Sequence, residues 1–336
     1  MTRDEISFFL NGGNDEKLFK NADKVRQEIF GKDVYIRGLI EISSICKNDC
    51  YYCGIRCSNK NAERYRLSHN EIFESVKKGA KMGFKTFVLQ GGEDLYFTDD
   101  ILCDIIYGIK NIAPDSAVTL SLGERSFESY KALKNAGADR YLLRHETATE
   151  EHYNMLHPEN MLLKTRKKCL YDLKELGYQV GAGFMVGSPY QTREHILADF
   201  EFLKELNPEM IGVGPFIPHK DTQFKGEMAG DLQLTLRILS LLRLIFPEVL
   251  LPATTALATL SEDGRERALK SGANVVMPNL TPEKRRESYN LYDNKAAFGA
   301  ESAEGLESLR KIIEDAGYKM SMSRGDSPKV TKERNG

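Results

Sequence analysis

Along the chain, short apolar runs alternate with longer stretches in which apolar residues recur three and four positions apart. The short runs predict strands over Tyr35–Ser43, Thr86–Gln90, Ala117–Leu122, Arg140–Arg144, Gln179–Phe184, Met210–Val213, Leu250–Thr254 and Asn274–Met277. The longer stretches predict helices over Asn70–Met82, Asp99–Ile112, Phe127–Ala136, Leu163–Leu176, Arg193–Leu206, Asp231–Phe246 and Gly264–Ser271. Leu234, Ile238, Leu241 and Ile245 make an apolar stripe on one of these, which Asp231 caps and Pro247 stops. Gly83, Gly137, Gly177 and Gly272 each follow an amphipathic stretch and precede a β-rich run, where a helix C-cap glycine belongs.

Strands alternating with helices predict parallel βαβ units, and eight such units close naturally into a (β/α)8 TIM-type barrel. A doubly wound open sheet is the alternative, and periodicity alone does not separate the two. The expected division is an N-terminal helical extension over 1–34, a barrel over 35–300, and a C-terminal helix and tail over 301–336. The net charge of −2 gives no global electrostatic case for nucleic acid or an anionic membrane. The most apolar stretch, around Ile238 to Phe246, is broken by Arg243 and falls far short of the ~20 residues of a membrane span. The apolar run at the N-terminus is too short for a signal peptide, so the cytoplasm is the expected compartment.

The candidate chemistry lies just after the first strand. Four of the six cysteines, Cys46, Cys50, Cys53 and Cys57, fall within twelve residues. Such density in a chain of this kind points to metal or redox chemistry, not to a disulfide framework. The spacing C-x3-C-x2-C over Cys46, Cys50 and Cys53 puts three thiolates on one loop. Three thiolates bind three irons of a 4Fe–4S cubane and leave the fourth open. That open iron suits chelation by the amino and carboxylate groups of S-adenosylmethionine (SAM). A zinc site with Cys57 as fourth ligand is the alternative, although structural zinc ligands usually come as two separated pairs. Lys47, Asn48 and Asp49 make the loop polar, which argues against inert core cysteines. Cys57 is expected to be a free thiol, and Cys103 and Cys169 to pack in the core. The spacing, with Tyr52 before the last cysteine, resembles the radical SAM superfamily signature.

A barrel places its active site at the C-terminal strand ends, and polar or glycine-rich segments recur there. They are Gln90-Gly-Gly-Glu-Asp94, Ser121-Leu-Gly-Glu124, Arg144-His-Glu-Thr147, Gly183 to Gly187, Gly214 to His219, Thr254-Thr255 and the run after Met277. The Gly91-Gly92-Glu93 run resembles a superfamily element whose backbone receives the SAM amino group. Glu146 is open to two readings, a SAM contact or a partner for Arg144 or Arg166. His219 is as readily structural as cavity-lining.

These segments together resemble the HydE family, radical SAM maturases of FeFe-hydrogenase, from about residue 15 to residue 320. The resemblance implies a complete barrel with an internal cavity, one 4Fe–4S cluster on Cys46, Cys50 and Cys53, and SAM. Carried over by position, Gln90, Gly92, Glu93, Ser121, Glu124, Glu146, Arg166 and Tyr289 would contact SAM. Arg144, Thr254 and Thr255 would line a deeper substrate or anion site; no catalytic residue is assigned. The implied reaction cleaves SAM to a 5′-deoxyadenosyl radical that acts on a small iron–cysteine or thiol-containing substrate. Implied partners are the other hydrogenase maturases and an external one-electron reductant. Some family members carry a second cysteine trio near the C-terminus, but Asn294 to Gly305 has none here, so one cluster is expected. 3-Methylornithine synthase, a radical SAM mutase, shares the early signature and the Asn61-Ala-Glu-Arg-Tyr-Arg-Leu67 run. It is the alternative enzyme, and a non-enzymatic iron–sulfur scaffold is the alternative of another class.

Overall fold

A computed structural model describes residues 1–297 and 299–330; Phe298 and the end of the expected tail, 331–336, lie outside the described residues. Two helices, α1 (Arg3–Leu10) and α2 (Asp15–Phe30), come first. Strands follow as β1 (Asp33–Ile36), β2 (Gly38–Ser43), β3 (Thr86–Gly91), β4 (Ala117–Ser121), β5 (Arg140–Leu142), β6 (Gln179–Ala182), β7 (Met185–Val186), β8 (Met210–Ile211), β9 (Gly214–Pro215), β10 (Val275–Val276) and β11 (Lys319–Ser321). Between them run α3 (His69–Lys81), α4 (Asp99–Ile112), α5 (Phe127–Asn135), α6 (Glu150–Leu156), α7 (Leu163–Glu175), α8 (Arg193–Leu206) and α9 (Leu232–Ile245). The last helices are α10 (Thr255–Leu260), α11 (Gly264–Lys270), α12 (Glu283–Arg286) and α13 (Leu306–Asp315).

Local chemistry explains the boundaries. Capping boxes at Thr2, Ser68 and Thr192 start α1, α3 and α8. Gly83, Gly137, Gly177 and Gly272 all have positive φ, as expected of glycines that end helices. The expected apolar stripe of α9 understates its burial. Leu236, Ile238, Leu239, Leu241 and Leu242 are all buried, because α2 covers the face that α9 turns away from the barrel. Arg243, which breaks that apolar run in sequence, is itself buried and donates to the carbonyls of Gly272, Pro247 and Val249.

The six strands β2-β3-β4-β5-β6-β8 form one parallel sheet. Past β8 the ladder thins to single-residue bridges, Met210 with Leu250 and Pro252 with Val275. Strand β10 then pairs with β1, and Asn279 bridges to Leu39 of β2, so the sheet returns to its start as a barrel. Three expectations shift. The first strand is broken at Arg37 into β1 and β2. Leu250–Thr254 makes no ladder of its own, since Pro252 has no N–H to donate and Thr254 already stands at the N-terminal boundary of α10. Cys169 is buried as expected, but Cys103 is only half-buried on α4.

At the N-terminal ends of the strands a charged network closes the floor. Asp326 accepts from Arg140 (2.8 Å), Gln179 (2.7 Å) and Arg324 (2.7 Å). Thr86 Oγ1 donates to the Arg324 carbonyl (2.8 Å) and accepts from Arg140 (3.2 Å). Among the described residues, no helix is long and apolar enough to cross a membrane.

Candidate functional site

The cysteine loop leaves β2 and is fastened by its own polar residues. Arg64 donates to the carbonyls of Ser44, Ile55, Arg56 and Asn59. Asp49 accepts from Arg56 Nε and Nη2, each at 2.8 Å, and from the Ser58 hydroxyl at 2.7 Å; the Arg56 bond holds its carboxyl well below the usual range. Gly92 lies directly beneath this loop. A Cβ there would stand 2.2 Å from the Ile45 carbonyl oxygen and 2.8 Å from the Cys46 Cβ. That glycine is therefore demanded by the packing of the loop.

Cys46, Cys50 and Cys53 open onto one cavity of about 370 Å³ at the C-terminal strand ends. Gln90, Gly92, Glu93, Ser121, Arg144, Glu146, Arg166, Thr254, Thr255 and Tyr289 line the same space. Of the predicted site residues, Glu124 alone stands outside this lining, behind Arg166 with its carboxylate 2.8 Å from Nε. The structure thus brings together residues that the sequence spreads from Cys46 to Tyr289.

Burial pushes all three thiols up, Cys53 to about 12 and Cys50 well above its ordinary value. Neighbouring thiols raise each one further. Three thiols that water does not ionise, facing one another, fit a cationic cluster that supplies the missing countercharge. Among the described residues no three such side chains close on a single point as a one-metal site requires. A cubane does not ask for that, because each thiolate takes a different iron. Cys57 is exposed, and its amide donates to the Asn48 carbonyl at 2.9 Å.

Several cavity groups have no hydrogen-bond partner among the described residues. Arg144 Nη2 lies 3.1 Å from Glu146 Oε2, close enough for an ion pair, yet the geometry is not that of a hydrogen bond. Both atoms are left orphaned, as are Arg144 Nε and Thr254 Oγ1. Buried polar atoms without partners are uncommon and costly, so this cavity is shaped for polar ligand atoms. Glu146 also has φ of +65°, a positive value that costs a residue other than glycine roughly 1–3 kcal/mol. By contrast Thr255 already donates to Glu301 (2.9 Å). Glu93 accepts the Glu124 amide at 3.0 Å, near Lys47 at 3.2 Å and Arg166 at 3.9 Å. Gln90 donates to the Tyr289 hydroxyl at 3.4 Å.

Sequence reasoning missed Glu41 and Lys295. Glu41 is a fully buried carboxylate on β2 that lines the cavity, bonded by Asn279 (2.9 Å) and paired with Lys295. Its signal was present: one acid inside the apolar run Leu39-Ile-Glu-Ile42. Lys295 also donates to the Tyr289 carbonyl at 2.9 Å, which ties the segment around 289–295 to the cavity wall. His219 takes the structural reading: it packs on Gly54, where a Cβ would stand 2.4 Å from its ring.

The family model of the radical SAM superfamily matches residues 40–243. The chain is 45% identical to the FeFe-hydrogenase maturase subunit HydE of Thermotoga maritima, over 95% of this chain and 90% of that protein. It is 31% identical to 3-methylornithine synthase of Methanosarcina acetivorans, over 83% of this chain and 78% of that one. The crystal structure of methylornithine synthase (PylB) superposes with a TM-score of 0.81 at 26% identity, covering 95% of this chain and 94% of that one.

Proposed function

The chain belongs to the radical SAM superfamily and, within it, to the HydE family, and from that premise we propose that it acts in assembling the active-site cluster of FeFe-hydrogenase on a small iron–cysteine or thiol-containing substrate. When bound, the cluster and SAM supply one-electron cleavage to methionine and a 5′-deoxyadenosyl radical. Cys46, Cys50 and Cys53 would hold the single cluster. Gln90, Gly92, Ser121, Glu146 and Tyr289 would hold SAM, with Glu93, Glu124 and Arg166 bracing that wall. Arg144 and Thr254, with Thr255 beside them, would take a carboxylate or another small anion of the substrate.

The observation that carries this reading is the cavity: three cysteine thiols and, among the described residues, five buried polar atoms without hydrogen-bond partners, two on Arg144 and one each on Glu146, Arg166 and Thr254, surround one space of about 370 Å³. A space of that size suits a small molecule, not a protein or nucleic-acid surface. We further read residues 1–34 and 301–336 as extensions of a barrel spanning 35–300. We place the protein in the cytoplasm, beside the other maturases and a one-electron reductant. The test is in vitro maturation of apo-FeFe-hydrogenase with the other maturases present and this protein as the only variable. Hydrogen evolution that requires it, and that vanishes with Cys50→Ala, is the expected result. The likeness to methylornithine synthase names the competing outcome: no maturation, but 3-methylornithine from lysine and SAM.

A further inference from the structure

Just past β5 and Leu143 the chain reads Arg144-His145-Glu146-Thr147-Ala148. Arg144 and Glu146 line the cavity. Alternation turns His145 to the other side, where it is fully buried with its ring 4.9 Å from Phe202 of α8. Glu146 sits at φ +65°, which glycine adopts freely and glutamate does not. Such a conformation persists only where its surroundings over-determine it.

Here they do. The Glu146 amide donates to the Gly183 carbonyl at 3.0 Å. The Gly183 amide donates to His145 Nδ1 at 3.3 Å, so the ring hydrogen belongs on Nε2. His145 Nε2 lies 3.2 Å from Asp199 Oδ1, and the Ala148 amide donates to that same oxygen at 2.6 Å. Asp199, fully buried on α8, thus grips the turn on both sides of Glu146. Its second oxygen has no hydrogen-bond partner among the described residues. A buried carboxyl with an orphaned oxygen is a poor choice for stability alone, since the unmet atom keeps its desolvation cost. What it achieves is the position of residues 145–148.

We propose that His145 and Asp199 are positioning residues that fix Glu146 in its cavity-facing conformation, a proposal that rests on the reading of Glu146 as a SAM contact. The experiment compares Glu146→Ala, His145→Phe, the double variant of these two, Asp199→Leu and Asp199→Asn in the reconstituted protein. The measurements are iron content, SAM affinity by titration, and a crystal structure of Asp199→Leu. Glu146→Ala should weaken SAM binding about tenfold, the worth of one charge-assisted hydrogen bond. His145→Phe and Asp199→Leu should lose about as much with iron content unchanged, and His145→Phe should add little on top of Glu146→Ala, because coupled sites are not additive. Asp199→Asn keeps an oxygen acceptor and should stay within roughly threefold of the parent. In the Asp199→Leu crystal, residue 146 should leave the left-handed region.

The two ideas fail separately. Parental SAM affinity in Glu146→Ala sinks the SAM reading of that residue. A φ at residue 146 that stays near its present value in Asp199→Leu, or parental affinity in both His145→Phe and Asp199→Leu while Glu146→Ala loses tenfold, overturns the positioning role. If His145→Phe does not fold, the Asp199→Leu and Asp199→Asn pair decides: equal affinities overturn it, and loss in the leucine variant alone supports it.

Discussion

The two ends of the barrel treat buried polar groups in opposite ways. At the N-terminal floor Arg140, Asp326, Gln179, Thr86 and Arg324 are knitted into one network. At the C-terminal mouth Arg144, Glu146 and Thr254 keep atoms with no hydrogen bond, and three thiols face one another with their ionisation suppressed by burial. Both ends carry charge inside a barrel. The floor pairs most of it with the protein's own groups, Arg140 Nε being the one nitrogen of these five side chains left without a partner among the described residues; the mouth leaves several atoms for a ligand. Polar burial is therefore a stability device at one end and a binding device at the other.

That contrast can be broken by substitution, and the largest effect is expected at the mouth. Cys50→Ala should abolish the reconstituted cluster, read as iron and sulfide content and as the EPR signal of the reduced protein. Cys57→Ala should leave both intact. Equal loss in the two variants would make Cys57 a ligand and restore the zinc-like reading.

The next effect belongs to the floor. Asp326→Ala leaves Arg140 buried without its countercharge and should cost ~3–5 kcal/mol of stability. The readout is denaturant unfolding, with SAM affinity of the surviving folded protein unchanged. A cost below 1 kcal/mol, or a loss of SAM binding, would show that the two ends are not separate.

Acid should probe the same group more gently. Burial pushes the Asp326 carboxyl up, but Arg140, Gln179 and Arg324 together hold it well below the ordinary range. A depressed carboxylate stabilises the fold at pH above its unfolded value, ~3.9, and that contribution fades as pH falls toward the folded value. Stability should drop on acidification below about pH 4 more steeply in the parent than in Asp326→Asn. Parallel curves for the two would remove Asp326 from the account.

The smallest effect sets one threonine against another. Thr86→Val deprives Arg140 and the Arg324 carbonyl of a partner and should cost ~1–3 kcal/mol. Thr254→Val removes a hydroxyl that makes no hydrogen bond among the described residues and should change stability by less than ~1 kcal/mol. Comparable unfolding midpoints for the two variants would erase the distinction between floor and mouth.

Much of this architecture was legible along the chain. The helices over 99–112 and 193–206 begin and end where the apolar spacing places them, because capping and periodicity act within a few residues. The short elements were not legible: β7, β9, α6, α10 and α12 hold between two and seven residues each, too few for a period to show. Nor was the break at Arg37, which follows from β1 reaching across to β10 and β11.

The cysteine spacing and the polar strand ends were set by the sequence alone, since a loop motif and a strand terminus are local features. Tertiary structure decided which of those strand-end groups are used up and which are left open. Glu93 and Thr255 look as available in sequence as Glu146 and Thr254, but Glu124 and Glu301 occupy the first two. Glu41 finds Lys295 across most of the chain's length, and Asp199 reaches His145 from α8. The physical reason is that hydrogen-bond satisfaction is a property of non-local contacts, fixed only when the barrel closes and the registers of distant strands bring their ends together.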